Sequence, residues 1–278
     1  MNRIARLPVL AALSAALLVS LTGCSQLEAR MELNKGVAAF KAGKPEQAIT
    51  HFQNATKLDP NLRTAKQYLA TALSQNVIAG LTTPDNIKTA NEAISGFQEV
   101  LKERPDDLNS LKGVASLYYN INEFQKSKEW QKKVLAVDPK DPEAAYSVGV
   151  VDWRLAHDNI VKLLPPGTQD DGAGNAKVLV KGLCSEVQAK NGSLVEEGLK
   201  YLGQAIENRP SYDEAMAYMN LTYRRKADVD CGNEPARKED VAKSAEWLDK
   251  AMGTRKANEA KKDKGPGGIV MDSNGNMK

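Results

Sequence analysis

The chain has 278 residues, 42 % of them hydrophobic and 26 % charged, enough for one or two compact cores or one extended array. Its formal net charge is +3; Arg3 and Arg6 are the only charged residues in 1–23, so beyond them the 38 basic residues fall to 36, against 35 acidic. A near-neutral body without a basic stripe excludes duplex nucleic acid as an expected partner.

Arg3 and Arg6 form a short positive segment, and Leu7 to Leu21 is then almost wholly apolar or small. That run is short for a bilayer span and carries Pro8 near its start, so it reads as the apolar region of an export signal. It ends in Leu21-Thr22-Gly23-Cys24. This tetrad resembles a bacterial lipobox. The resemblance implies removal of residues 1–23 as a lipoprotein signal peptide, with acylation of the Cys24 thiol. Residues 24–28 would be a lipidated N-terminal linker, and the lipid would hold the protein on a membrane without spanning it. Ser25 stands where the proteobacterial inner-membrane retention rule asks for Asp, which favours the outer membrane, facing the periplasm.

The body is organised around four prolines: Pro60, Pro105, Pro139 and Pro210. Twelve residues before them stand Ala48, Ala93, Ser127 and Gly198. Eight before stand Phe52, Phe97, Gln131 and Leu202, and five before stand Ala55, Val100, Val134 and Ala205. These i, i+4, i+7 positions are one face of a helix that each proline ends. Five residues after the prolines come Ala65, Ser110, Ala144 and Ala215; ten after come Ala70, Ala115, Gly149 and Asn220. This is a second helix, with small residues where neighbours pack closely.

Helix, turn, helix, proline at these spacings resembles the tetratricopeptide repeat (TPR). Ala29 to Leu62 fits best, with Gly36, Gly43, Ala48, Phe52, Ala55 and Pro60 at the family positions. The segment Leu108 to Asp141 departs at Asn122 and Gln131, where glycine and an aromatic are usual. The resemblance implies an all-α fold: a TPR α-solenoid of about five helix pairs over 29–253. The units are about 29–62, 63–107, 108–141, 142–212 and 213–253. Uneven proline spacing places long insertions between first and second helices, near 75–86, 155–192 and 226–237, all on one edge of such a solenoid. The last helix is expected near Lys238 to Met252, and the Lys-, Gly- and Asn-rich residues 254–278 read as a disordered tail.

With Cys24 acylated, Cys184 and Cys231 remain, an even number for an oxidising compartment. Both lie in insertions on the same edge of adjacent units, so a disulfide between them is expected, worth about 3–4 kcal/mol in the chain-entropy model.

Catalytic and cofactor motifs are missing. His51 falls on an outward position of a second helix and His157 opens an insertion; neither has a metal-ligand neighbour at zinc spacing. There is no nucleophile elbow and no P-loop. Asp170 to Asn175 lacks the alternating ligands of a calcium loop, and Asp272 to Gly275 is a similar fragment. No cofactor, no metal and no enzymatic activity are therefore expected.

What the resemblance implies is partner binding. First helices of TPR arrays line the groove, and the family's groove positions carried over here give Lys41, Lys112, Tyr119, Asn120, Tyr146, Trp153, Arg154, Arg224 and Arg225. Aromatic anchors beside arginine are typical of interface hot spots. The first-unit positions of the carboxylate clamp found in chaperone-binding TPR proteins are Leu33 and Val37, so that clamp is absent. The expected function is a lipid-anchored scaffold or adaptor for protein partners, extended or helical segments of envelope proteins, by architectural analogy with outer-membrane or pilus and secretin assembly. Alternatives are an accessory of peptidoglycan or polysaccharide machinery, and an enzyme sited in insertion 155–192.

Overall fold

The structure, a computed structural model, describes residues 7–164, 170 and 182–262, with 7–23 described by backbone alone. Among them are ten helices and no strand: α1 (Leu7–Lys41), α2 (Pro45–Leu58), α3 (Arg63–Gln75), α4 (Pro84–Glu103), α5 (Leu108–Asn120), α6 (Phe124–Val137), α7 (Pro142–Leu163), α8 (Cys184–Asn208), α9 (Asp213–Val229) and α10 (Glu234–Lys262). Arg3 and Arg6 of the expected export signal, residues 165–169 and 171–181 of the expected insertion, and the expected tail from 263 onward lie outside the described residues. No described helix is long and apolar enough to cross a membrane.

The helices begin and end where local chemistry dictates. Proline opens α2, α4 and α7, where its missing N–H costs nothing. Asp107 and Asp141 cap α5 and α7 by accepting from the N–H groups of Ser110 and Ala144. Asp59, Arg104 and Arg209 close α2, α4 and α8 with ψ between 81° and 94°, outside the helical range that the following proline disfavours.

The chain forms two compact units, residues 1–130 and 131–278, and the division falls within α6. In the first, α1 packs on α2 and α3 on α4, with α2 against α3 and α4 against α5. In the second, α7 packs on α8 and α9 on α10, with α8 against α9. First helices also touch their successors, α1 to α3, α3 to α5 and α7 to α9. This is α-solenoid packing, in which each pair covers the apolar stripe its neighbour cannot hide.

The proline register is the core. Ala48, Phe52, Ala55, Ala93, Phe97, Val100, Val134, Leu202 and Ala205 are buried, as are Ala65, Ala70, Ala115, Ala144 and Ala215. Small residues let the helices approach: a Cβ on Gly36 would stand 2.5 Å from the Phe52 ring, and one on Gly149 2.5 Å from Leu202 Cγ. Gly43 turns from α1 to α2 at φ 68°, and Asn122 makes the equivalent turn from α5 to α6 at φ 63°. Asparagine tolerates this left-handed geometry better than other non-glycine residues, which accounts for the departure at that position.

Four expectations need correction. Residues 24–28 are not a linker but part of α1. Much of the insertion expected over 155–192 is helix: 155–163 prolongs α7 and 184–192 begins α8, because Ala156, Ile160, Val187 and Asn191 continue the buried stripes. The insertion expected over 226–237 shrinks to 230–233, the turn between α9 and α10. The last helix does not stop near Met252: residues 254–262 belong to α10, where Arg255 and Asn258 bond to Asp213 at 2.8 and 2.9 Å, and Asn258 also bonds to the Ser211 carbonyl. The insertion expected over 75–86 does hold a turn, 76–83. Asn86 clamps it by accepting from the Ile78 N–H and donating to the carbonyls of Ile78 and Leu81.

Candidate partner-binding surface

The most developed side-chain constellation lies in the second unit, on the first helices α7 and α9. Tyr146, Trp153 and His157 recur on α7 at i, i+7 and i+11, one helical face. Tyr212 immediately precedes α9, and Tyr218 follows within that helix. The rings form a continuous stripe. Tyr146 is 4.9 Å from Tyr212 and meets Tyr218 edge-on at 5.6 Å. Trp153 meets Tyr218 edge-on at 5.3 Å and stacks on His157 at 5.3 Å. Edge-on and offset pairs match the quadrupoles of the rings and add about 0.5–1.5 kcal/mol each beyond burial. Tyr146, Trp153, His157 and Tyr218 are half-buried; Tyr212 is buried.

Both ends of the stripe are held by charge. At one end Glu143 accepts 2.6 Å hydrogen bonds from Arg209 and the Tyr212 hydroxyl, while the Arg209 guanidinium lies 4.4 Å over the Tyr212 ring. Burial alone raises the Glu143 pKa, but the bonds from Tyr212 and Arg209 outweigh it and hold the carboxyl below its usual range. Burial, reinforced by the bond to Glu143, pushes the Tyr212 phenol well above its ordinary value. Tyr212 is therefore a neutral, fixed donor.

At the other end Asp170 accepts from Arg225 at 2.8 and 3.2 Å and pairs with His157 Nδ1 at 3.2 Å. Asp228 lies 3.3 Å from the Arg225 Nε. Arg225 is 2 % exposed, so its expected groove role is corrected: its guanidinium is spent inside the fold on Asp170 and Asp228. Position within a repeat cannot foresee this, because Asp170 comes from the insertion. In the same unit, Cys184 at the start of α8 and Cys231 in the α9–α10 turn are joined by a disulfide, with Cα atoms 5.7 Å apart.

The other expected groove residues are scattered. Arg154 is exposed and paired with Asp158 one turn on at 3.0 Å; Arg224 is half-buried on α9. In the first unit Lys41 is exposed at the end of α1 and Lys112 half-buried on α5. Tyr119 packs edge-on against Phe124 at 5.3 Å, and the Asn120 carbonyl accepts from the Gly80 N–H at 2.7 Å. Leu33 and Val37 pack around Phe52. Of the expected set, Tyr146 and Trp153 come together in the stripe, and Arg225 lies buried at its His157 end through Asp170. Sequence reasoning misses Tyr212 and Tyr218 and weighs His157 only as a metal ligand, although aromatics on successive first helices are a signal the sequence carries. His51, expected to face outward, is half-buried and bonds to Glu32 at 2.8 Å. Cys24 is exposed on α1. Among the described residues no three His, Cys, Asp or Glu side chains are placed to hold a metal ion.

Comparison with known proteins agrees with this architecture. Residues 29–62 and 113–141 each match a tetratricopeptide repeat family. A crystal structure of MamA superposes with a TM-score of 0.56 at 15 % identity, covering 87 % of this chain and 98 % of that one. MamA from Desulfovibrio magneticus RS-1, residues 41 to the end, gives 0.55 at 16 % identity, covering 83 % and 96 %. YrrB, described as a TPR protein with an unusual peptide-binding site, gives 0.52 at 15 % identity, covering 83 % and 90 %. At such identities the likeness is one of fold. The Protein CTR9 homolog of Arabidopsis thaliana is 28 % identical over 138 residues, 46 % of this chain but only 12 % of that protein's length.

Proposed function

We propose that this TPR-type α-solenoid is a lipid-anchored adaptor of the bacterial envelope that binds protein partners through the aromatic stripe of α7 and α9. The observation that carries the binding role is the stripe itself: five contiguous rings on adjacent first helices, four of them half-buried, held at both ends by ion pairs. Rigid aromatics lose little conformational freedom on binding, which suits them to anchor a partner. The description of YrrB as having a peptide-binding site supports peptide recognition by this architecture.

The anchoring rests on the leader and on Cys24, whose exposed thiol follows Gly23. A disulfide between Cys184 and Cys231 supports an oxidising compartment such as the periplasm. Outer-membrane placement rests on Ser25 alone. The combination fits a scaffold in envelope assembly.

The test is metabolic labelling with palmitate in a Gram-negative host. Wild type should incorporate label and sediment with membranes; Cys24→Ser should do neither. In detergent extracts Trp153→Ala should lose partners that wild type retains. An unlabelled wild-type protein would refute the anchor, and unchanged partners with Trp153→Ala would refute the binding surface.

A further inference from the structure

Partner binding by the stripe leaves the two end helices of the repeat register unused. Ser244, Leu248 and Ala251 on α10 keep the spacing of Ala48, Phe52 and Ala55 on α2. Leu248 therefore stands where Phe52, Phe97 and Leu202 stand on α2, α4 and α8. Those three are at most 4 % exposed, because the following first helix helps to cover them. Tyr68 of α3 stacks on Phe52 at 5.4 Å, and a Cβ on Gly113 of α5 would stand 2.7 Å from the Phe97 ring. α10 packs on α9, and no described helix follows it. Leu248 is 38 % exposed there, on one helical face with exposed Val241, Ala245 and Met252. The outward face of an end helix is expected to be polar; this one is apolar over about three turns.

The other end is open in the complementary sense. A Cβ on Gly36 of α1 would meet Phe52 as one on Gly149 of α7 would meet Leu202, so α1 is a first helix in the same register. No described helix precedes it. Met31 and Ala38 on α1 hold the positions of Ala65 and Ala72 on α3 and of Ala144 and Val151 on α7. Those four are buried, whereas Met31 and Ala38 are exposed.

Contacts already made between second helices and the first helices that follow them say which residues of the two ends would meet. The Phe52–Tyr68 and Phe97–Gly113 contacts place Asn34 opposite Leu248. Thr222 Cγ2, 3.5 Å from a Cβ on Gly198, places Ala38 opposite Ser244, small against small. Met219 Cε, 3.9 Å from a Cβ on Gly203, places Lys35 opposite Asp249. That pair is of opposite charge; both residues are exposed, and Lys35 already bonds to Glu32 at 2.7 Å on its own helix.

We propose that the α10 face takes a second copy of this chain, whose α1 stacks head-to-tail on Val241, Leu248 and Met252. The contact reproduces the interface between successive repeats and is heterologous, so it can extend beyond a dimer. Cys24 lies seven residues before Met31, about 10.5 Å along α1, beyond the paired positions.

The experiment uses the full chain in detergent micelles, with Cys24→Ser so that an introduced thiol is the only free one. Asn34→Cys and Leu248→Cys are oxidised separately and as a mixture. The mixture should give a covalent dimer that neither gives alone. A dimer from Leu248→Cys alone would overturn the proposal in favour of α10 pairing with itself, and no dimer in the mixture would overturn it outright. In the chain with its native Lys35 and Asp249 replaced in turn, Lys35→Glu and Asp249→Lys should each weaken self-association about fivefold in sedimentation, and the double variant should restore it. Losses that add in the double variant would show that the two residues do not meet and would sink the head-to-tail register. None of these outcomes bears on partner binding through Trp153.

Discussion

The two compact units solve the same packing problem with different interiors. Residues 24–130 bury small and apolar side chains around Phe52 and Phe97, and Lys128 is the one charged residue buried there among the described residues. Residues 131–278 bury Arg225 together with Asp141, Asp152, Asp213, Asp228 and Asp240, and carry the disulfide and the aromatic stripe. A repeat needs only its alanine and glycine contacts to stack. Buried charges add cost unless fully paired, so the second unit depends on specific ion pairs where the first depends on apolar packing. The pairing of Arg225 to Asp170 ties the insertion to a first helix.

The largest effect that would sharpen this contrast is expected from Arg225→Ala. It leaves Asp170 and Asp228 without their shared cation and should destabilise the second unit by about 3–5 kcal/mol in urea unfolding. A loss below about 1 kcal/mol would mean that the cluster is solvated and the contrast is false. Next comes the disulfide. Reduction, or the Cys184→Ser and Cys231→Ser pair, should cost about 3–4 kcal/mol through the reopened loop and leave the melting of the first unit unchanged.

Much of the first unit was legible because proline and glycine act through covalent geometry. Pro60 and Pro105 had to end helices, and positions counted from them are the buried ones. The second unit was less legible. The positions near 155–163 and 184–192 look like an insertion when counted from prolines, yet their own apolar period at Ala156, Ile160, Val187 and Val195 continues the helices. The polar composition after Gly253 conceals Arg255 and Asn258, whose value is the buried Asp213 they satisfy. Burial raises the Asp213 pKa, but those bonds bring it below its usual range. Repeat position named Tyr146 and Trp153 as groove residues but took Arg225 for one as well, since only the tertiary contact with Asp170 turns that side chain inward.

Smaller effects test how ordinary the first unit is. Asn122→Val should cost about 1–2 kcal/mol, because a β-branched residue resists the left-handed turn, and Gly43→Val should cost a similar amount. Thermal melts showing no change at either site would mean the turns relax. The smallest effect concerns Glu32, which bonds to Lys35 and His51; these bonds lower its pKa from 4.5 to about 2. A carboxyl with a depressed folded-state pKa stabilises above its unfolded value and loses that contribution as pH falls through the folded one. The advantage of wild type over Glu32→Gln should therefore be full above pH 4.5 and fade toward pH 2. A gap in melting temperature that is flat across that window would contradict the pairing.

Site-specific photo-crosslinking in intact cells tests the proposed engagement of partners by the aromatic stripe most directly. The photoreactive residue p-benzoyl-phenylalanine is placed in turn at Trp153 and at Tyr68, an exposed aromatic of α3 in the first unit. A discrete adduct is predicted from position 153 and none from position 68. Adducts from 68 with none from 153 would contradict the assignment of the stripe as the partner seat.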